Sequence, residues 1–210
     1  VFKYEDTNPG MQDSKSYITR RYEDSDRYQY DVAAYKLDRM LGWEMVPTAV
    51  LAEVNGKQGA LSDWVTGAIN VRDRLEQELP FDSYCDQWEQ YRLRFVFDIL
   101  IHNVDRNLTN ILWTKDDFMM KFIDHSLAFR ASKKRPKQYR KVDLEVSDLL
   151  VSRLQTLNQG NLTEELRPYL HPRQIEAILE RRDLILKEAI RTGREASRCL
   201  TRIWPVPCRY

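Results

Sequence analysis

From about Asp86 to Phe129 three local patterns follow one another in an order that few folds accommodate: a helical period, a polar loop, and two β-prone runs around a turn. Trp88, Tyr91, Phe95, Val96, Ile99 and Leu100 mark one face of a helix over about 86–102. The chain then passes through the polar stretch Asp105 to Asn110. Ile111-Leu112-Trp113 and Met119 to Ile123 flank Lys115-Asp116-Asp117 and should pair as a hairpin. If that pairing centres on Asp117, Asn110 and Asp124 lie opposite one another at its open end, where cross-strand Cβ atoms are roughly 4.5 to 5.5 Å apart.

Those polar residues carry a specific chemistry. Asp105 and Asn110 have the D-x-x-x-x-N spacing in which the aspartate accepts a proton from a hydroxyl acceptor and the asparagine holds magnesium. Asp124 would be the main metal carboxylate. Two carboxylates about 4 Å apart repel by roughly 4 kcal/mol at an effective dielectric near 20, and a divalent cation removes that repulsion. Oxygen donors alone suit Mg²⁺ or Mn²⁺, completed by phosphate oxygens and water, better than zinc. The competing reading is a polar turn whose Asp and Asn side chains cap backbone groups. The helix entering the loop, the hairpin leaving it and the Ile-Asp step at its end favour a phosphotransfer site.

Charge excludes some partners. The 33 basic and 32 acidic residues nearly cancel, so no global field favours nucleic acid or a membrane surface. No apolar run approaches the roughly 18 residues of a transmembrane helix, and no signal-peptide pattern opens the chain. Cys85, Cys199 and Cys208 form no metal-ligand cluster, and reduced thiols in the cytoplasm are the simplest reading; a Cys199–Cys208 bridge remains open if the protein is secreted and a leader has been removed.

A first lobe spans Val1 to about Val65: a strand at Val1–Tyr4, a polar stretch over 5–30 with an Asn8-Pro9-Gly10 turn, a helix over about 28–41 ended by Gly42, and strands over 48–54 and 58–65 joined at Asn55-Gly56. The second lobe, 66–210, reads as mostly helical, with helices at about 143–157, 163–168, 172–180 and 181–197. Its basic loop Lys133 to Lys141, KKRPKQYRK, is placed to attract an acidic peptide, a phosphorylated sugar or a lipid headgroup, or is simply solvated.

In this order, VFKYED, YQYDVAAYKLDRMLGWEMVP, FDILIHNVDRNLTNIL and FIDHSLAF resemble the atypical kinases related to the Golgi casein kinases, the HipA-type kinases and the phosphoinositide-kinase-like enzymes. LERRDLILKEAI resembles the final helix of the Golgi casein kinase branch. The resemblance implies an α+β, bilobal kinase-like fold with a small β-rich N-lobe and a larger helical C-lobe, and ATP in the cleft. It implies that Lys3 contacts the nucleotide phosphates and that Asp31 orients it through an ion pair. It puts Leu61, Asp63 and Trp64 in the segment crossing between lobes, where backbone groups meet adenine or Trp64 packs as interlobe core. Arg106, next to the proposed base, would screen its charge, bind phosphate or form a structural salt bridge. His102 and His125 would serve as hydrogen-bonding residues.

Two departures from the pattern matter. No glycine-rich loop precedes Lys3 in the sequence, and the helix acid is Asp31 where the family carries Glu, so that the helix would have to move inward to complete the pair. The expected activity is ATP-dependent transfer of the γ-phosphate to a hydroxyl of a protein Ser/Thr, a sugar or a lipid headgroup. A catalytically silent nucleotide-binding scaffold and an AMP transferase on the same fold are the alternatives.

Overall fold

The computed structural model describes residues 1–4 and 26–191. The Asn8-Pro9-Gly10 turn, Cys199 and Cys208 lie outside them. Within the described residues the chain is α+β, with sheets first and a mostly helical C-terminal part.

Three strands form the first sheet, β1 (Phe2–Lys3), β2 (Ala49–Val54) and β3 (Lys57–Ser62), antiparallel in the order β1-β3-β2. Asn55-Gly56 makes the β2–β3 turn, both residues at positive φ. Gly59 is required by close approach: a Cβ there would lie 2.2 Å from the Lys3 carbonyl oxygen. The helix α1 (Gln29–Leu41) buries Val32, Ala33, Ala34, Leu37 and Leu41. It stops at Gly42, whose φ of 62° carries the αL cap that a glycine adopts without strain. Arg153 donates to the Leu41 and Gly42 carbonyls and satisfies that helix end.

β4 (Ala68–Asn70) and α2 (Val71–Glu76) fall where no element was expected. Asn70 caps α2 by accepting the Asp73 N–H at 2.8 Å, an N-cap signal present in the sequence. The helix α3 (Gln87–Leu100) begins at Asp86, whose carboxylate accepts from Trp88 N, and buries Leu93, Val96, Phe97, Ile99 and Leu100. Trp88, assigned to the apolar face, is 69% exposed instead, because it occupies the first turn, beyond the edge of the core.

β5 (Ile111–Thr114) and β6 (Met120–Phe122) form the expected hairpin, and β4 joins it at the edge, in the order β4-β5-β6. The register differs by one residue from the expectation. Ile111 pairs with Phe122, so that Ile123, not Asp124, faces Asn110 and donates its N–H to the Asn110 carbonyl at 3.2 Å. Asp124 sits at φ 59°, outside the alternation of the strand.

The C-terminal part holds β7 (Glu145–Val146), α4 (Asp148–Thr156), α5 (Gln159–Leu166), α6 (Pro172–Glu188) and β8 (Ile190–Arg191), with β7 and β8 parallel. The helices read as 172–180 and 181–197 are one helix, α6, and it ends at Glu188, short of the expected end, because Ile190 and Arg191 pair with β7. The charged run Glu180 to Asp183 does not break it, because Arg181 is fully buried and donates to the carbonyls of Leu100, Arg130 and Ser132. One apolar core, including Trp43, Phe97, Trp113, Phe122 and Phe129, joins the hairpin to α1, α3 and the C-terminal helices. Each such side chain contributes about 1.5–3 kcal/mol on burial.

Candidate functional site

A cleft of about 590 Å³ opens between the β1-β3-β2 sheet and the β4-β5-β6 sheet. Ala49, Val65, Ile69, Leu112 and Ile123 give it apolar walls, and Lys3, Asp31, Asn110 and Asp124 stand together among its polar lining. A site with apolar walls and a few convergent polar groups is the usual form of a small-molecule pocket.

Lys3 holds the centre of the polar group. Its Nζ lies 3.1 Å from Asp31 Oδ2 and 2.5 Å from Asp124 Oδ1. Burial works against the ammonium charge, but the two carboxylates outweigh it and raise the Lys3 pKa above its ordinary value. In this structure Asp31 reaches Lys3 despite its shorter side chain. The other Asp31 oxygen accepts the His125 backbone N–H at 2.7 Å and lies 3.3 Å from the His125 ring. Burial alone would raise the Asp31 carboxyl. The bonds from His125 and the Lys3 charge hold it down at about 2. Burial pushes His125 below its ordinary value, against the pull of the Asp31 carboxylate.

The loop before the hairpin is fixed from beneath. Asp98, fully buried on α3, accepts from Asn103 Nδ2, from Arg106 Nε and Nη2, and from the Tyr139 hydroxyl. Arg106 Nη1 donates to the Asn110 and Ile123 carbonyls, so one guanidinium ties the loop to both hairpin strands. With none of its side chain exposed, Arg106 takes the structural of its three expected roles and does not reach the cleft. Asn110 Nδ2 donates to the Asp105 carbonyl at 3.1 Å, and Asp105 N–H is held by Asn103 Oδ1. The Asp105 residue is exposed and does not line the cavity.

Of the segment expected to cross above the cleft, Asp63 and Trp64 line it and Leu61 does not. Trp64 is 76% exposed, which rules out interlobe core. Sequence reasoning missed Asn70, Asp73 and Gln77, which add a polar wall from α2 and the turn after it; the Asn70-x-x-Asp73 capping pattern was the available signal. His102 is buried at the end of α3, and burial, with Arg181 nearby, pushes its pKa down to about 4.

Two further expectations change. Lys133 pairs with Glu176 and Glu180, and Arg135 with Glu188, which leaves Lys134, Lys137, Arg140 and Lys141 as the exposed cations of the basic loop with no ion pair among the described residues. The loop is anchored beside Asp105 through Gln138, which donates to the Asn103 carbonyl. Cys85 is buried and disulfide-bonded, where reduced thiols or a Cys199–Cys208 bridge were expected.

Among the described residues no three His, Cys, Asp or Glu side chains converge into a metal cage. Asp124 Oδ2 and Asn110 Oδ1 have no hydrogen-bond partner among the described residues, since Lys3 and Ser126 bond Asp124 Oδ1 and the Asn110 amide donates through Nδ2. Two oxygens of this kind fit Mg²⁺ or Mn²⁺ that brings its remaining ligands from phosphate and water.

No protein-family model and no curated protein matches the sequence. Solved structures do match. The structure of hydra Fam20 with sugar superposes with a TM-score of 0.55 at 16% identity, covering 86% of this chain and 73% of that one. The Helicobacter pylori proinflammatory kinase CtkA superposes with a TM-score of 0.50 at 12% identity, covering 84% and 83%. At these identities the likeness is one of fold, and the fold is that of the atypical kinases.

Proposed function

Starting from this protein-kinase-like fold, we propose that the chain transfers the γ-phosphate of ATP to a hydroxyl acceptor. The observation that carries the reading is the position of Lys3 Nζ between Asp31 and Asp124 at the wall of a cleft that also contains Asn110. In this reading residues 1–65 form the lobe that covers the nucleotide and 66–210 the lobe that carries the transfer machinery.

The adenine occupies the apolar part of the cleft, with the backbone after β3 at Asp63 and Trp64 as its hydrogen-bonding edge. Lys3 neutralises phosphate charge, and Asp31 keeps its ammonium aimed at the phosphates. Asp105 orients the acceptor hydroxyl and takes its proton as the oxygen attacks the γ-phosphorus and the bond to the β-phosphate oxygen breaks. Asp124 and Asn110 would hold Mg²⁺ or Mn²⁺, which supplies charge neutralisation at the phosphates when bound. Positioning and electrostatics account for most of the acceleration in such a reaction. The acceptor is a protein Ser/Thr, a sugar or a lipid headgroup, and the exposed cations of the basic loop beside Asp105 favour an anionic one.

The test is thermal stability with ATP, with and without Mg²⁺ or Mn²⁺, for wild type and Asp124→Ala, followed by transfer of label from γ- and from α-labelled ATP. A ligand at 100 times its Kd stabilises by about 2.7 kcal/mol. A metal-dependent rise lost in Asp124→Ala, with transfer of the γ label, is the expected result. Transfer of the α label would replace phosphate with AMP. Binding with no transfer would make the chain a silent scaffold, and no shift in either protein would end the reading.

A further inference from the structure

Gln174, in the first turn of α6, is buried at 1% exposure far along the chain from every residue assigned so far. Its amide is used in three directions. Oε1 accepts the His171 N–H at 2.8 Å and closes the capping box of α6. Nε2 donates to the Tyr30 hydroxyl at 2.9 Å and to the Phe129 carbonyl at 2.6 Å. The amide orientation is fixed by these partners, because the flipped amide would set its oxygen against a carbonyl and its NH₂ against an N–H.

The two groups it joins lie on the two segments that build the site. Tyr30 immediately precedes Asp31 on α1, and Phe129 follows Asp124 on the segment leaving β6. A second tie joins the same segments from the neighbouring position, the bond from His125 N–H to Asp31. The Tyr30 and Phe129 rings also pack, 5.7 Å between centroids. An outward swing of α1 would therefore break the Asp31–His125 bond and the Tyr30–Gln174–Phe129 bridge together. A side chain as short as Asp31 needs such a seam, since it reaches Lys3 only while α1 stays against the Asp124 segment.

We infer that Gln174 is a positioning residue: it ties the helix that carries Asp31 to the segment that carries Asp124, and so keeps the ion pair with Lys3 assembled. Its importance for turnover rests on the phosphotransfer reading, while the tie itself does not.

The experiment compares wild type, Gln174→Leu and a control, Leu154→Ala, which removes core volume from α4 outside the cleft. Amide hydrogen exchange is followed along the full chain without nucleotide. In Gln174→Leu, exchange over 29–41 and 124–129 should rise at least tenfold while α3 keeps its wild-type rates, and in Leu154→Ala the 29–41 amides should stay protected at a similar loss of Tm. Where wild type transfers phosphate, kcat should fall at least tenfold in Gln174→Leu, with no further loss when the change is added to Asp31→Ala. Unchanged exchange over 29–41, or an equal rise in α1 and α3, would overturn the inference. If Gln174→Leu does not fold, Gln174→Glu is read by the same criteria, since it keeps the acceptor for His171 and loses the donor to Phe129. A wild-type protein that transfers nothing would remove the phosphotransfer reading, and the exchange result would then decide the tie by itself.

Discussion

The Lys3 ammonium meets the Asp124 carboxylate at 2.5 Å across 121 positions of sequence. Both side chains are more than one third exposed, so solvent screens the contact and its weight in stability is small, about 1 kcal/mol or less. Its weight in function should be much larger. Replacing Lys3 with Met is expected to lower turnover by about 10² to 10³, the cost of removing a group that stabilises transition-state charge, while Tm moves by a few degrees at most. Asp31 keeps two contacts with His125 in that variant, which limits the damage to the fold. Turnover and Tm measured together check this, and a Lys3→Met protein of near wild-type rate would remove Lys3 from the machinery.

Gly59 sets how closely β1 approaches β3. A Cβ at this position would meet the Lys3 carbonyl oxygen at 2.2 Å and the Phe2 ring at 2.7 Å, and the backbone contact cannot be relieved by a rotamer change. Gly59→Ala is expected to push β1 off the sheet edge, carrying Lys3 away from Asp31 and Asp124, at a cost of about 1–3 kcal/mol in stability, as for other overpacking changes. Nucleotide affinity should fall at least tenfold, measured by calorimetric titration. Wild-type affinity in a folded Gly59→Ala protein would show that the Lys3 strand needs no close approach.

Asp38, fully buried on α1, accepts the Met45 N–H at 3.1 Å through Oδ1, while Oδ2 has no hydrogen bond among the described residues and only the Arg39 guanidinium 3.6 Å away. Burial pushes its carboxyl up to about 7, with only partial relief from Arg39. The folded chain therefore holds this proton more tightly than the unfolded chain, whose carboxyl titrates near its ordinary value of about 3.9. Stability associated with the neutral form is complete below pH ~4 and is lost as pH rises to ~7. Asp38→Asn should raise Tm at pH 8, by about 1 to 2 kcal/mol of stability, and change it little at pH 4. The gain stays below the full linkage value because the new amide would itself lack an acceptor. Denaturation at the two pH values decides, and a destabilised variant at pH 8 would mean that Asp38 is ionised and paired.

The elements read directly from sequence were those whose pattern is local. The period of α3, the Asn55-Gly56 turn and the Gly42 stop each depend on neighbours within one or two turns, and each formed where the pattern put it. Tertiary packing decided the rest. The hairpin register differs by one because the turn between Thr114 and Met119, with Phe118 at positive φ, sets the pairing; Asp124, beyond the last pair, takes a left-handed backbone. Nothing local in the sequence showed that Arg181 would be buried, where three backbone carbonyls from other segments satisfy it in the core. The side-chain length of Asp31 was legible, and the seat of α1 against the Asp124 segment, which brings that short side chain to Lys3, was not. The sequence read Asn110 and Asp124 as neighbours in one site, and both line the cleft while Asp105 does not; it offered no sign that Arg106 would be enclosed by Asp98.

The basic loop supplies the last test. Lys133 shares its charge with Glu176 and Glu180 on α6, so it contributes little field toward the cleft. Lys137, Arg140 and Lys141 are exposed and have no ion-pair partner among the described residues, and the loop that bears them is anchored to the Asn103 carbonyl, two residues from Asp105. A cluster of like charge next to a proposed acceptor site should raise the local concentration of an anionic acceptor. Replacing these three by Gln is expected to raise KM several-fold for an acidic acceptor peptide at low salt and to leave kcat nearly unchanged. The difference from wild type should disappear as salt approaches 1 M, where the screening length falls to about 3 Å. Lys133→Gln should leave KM as it is. A KM increase that persists at high salt, or one of equal size for an uncharged acceptor, would mean that the loop acts through shape and not through charge.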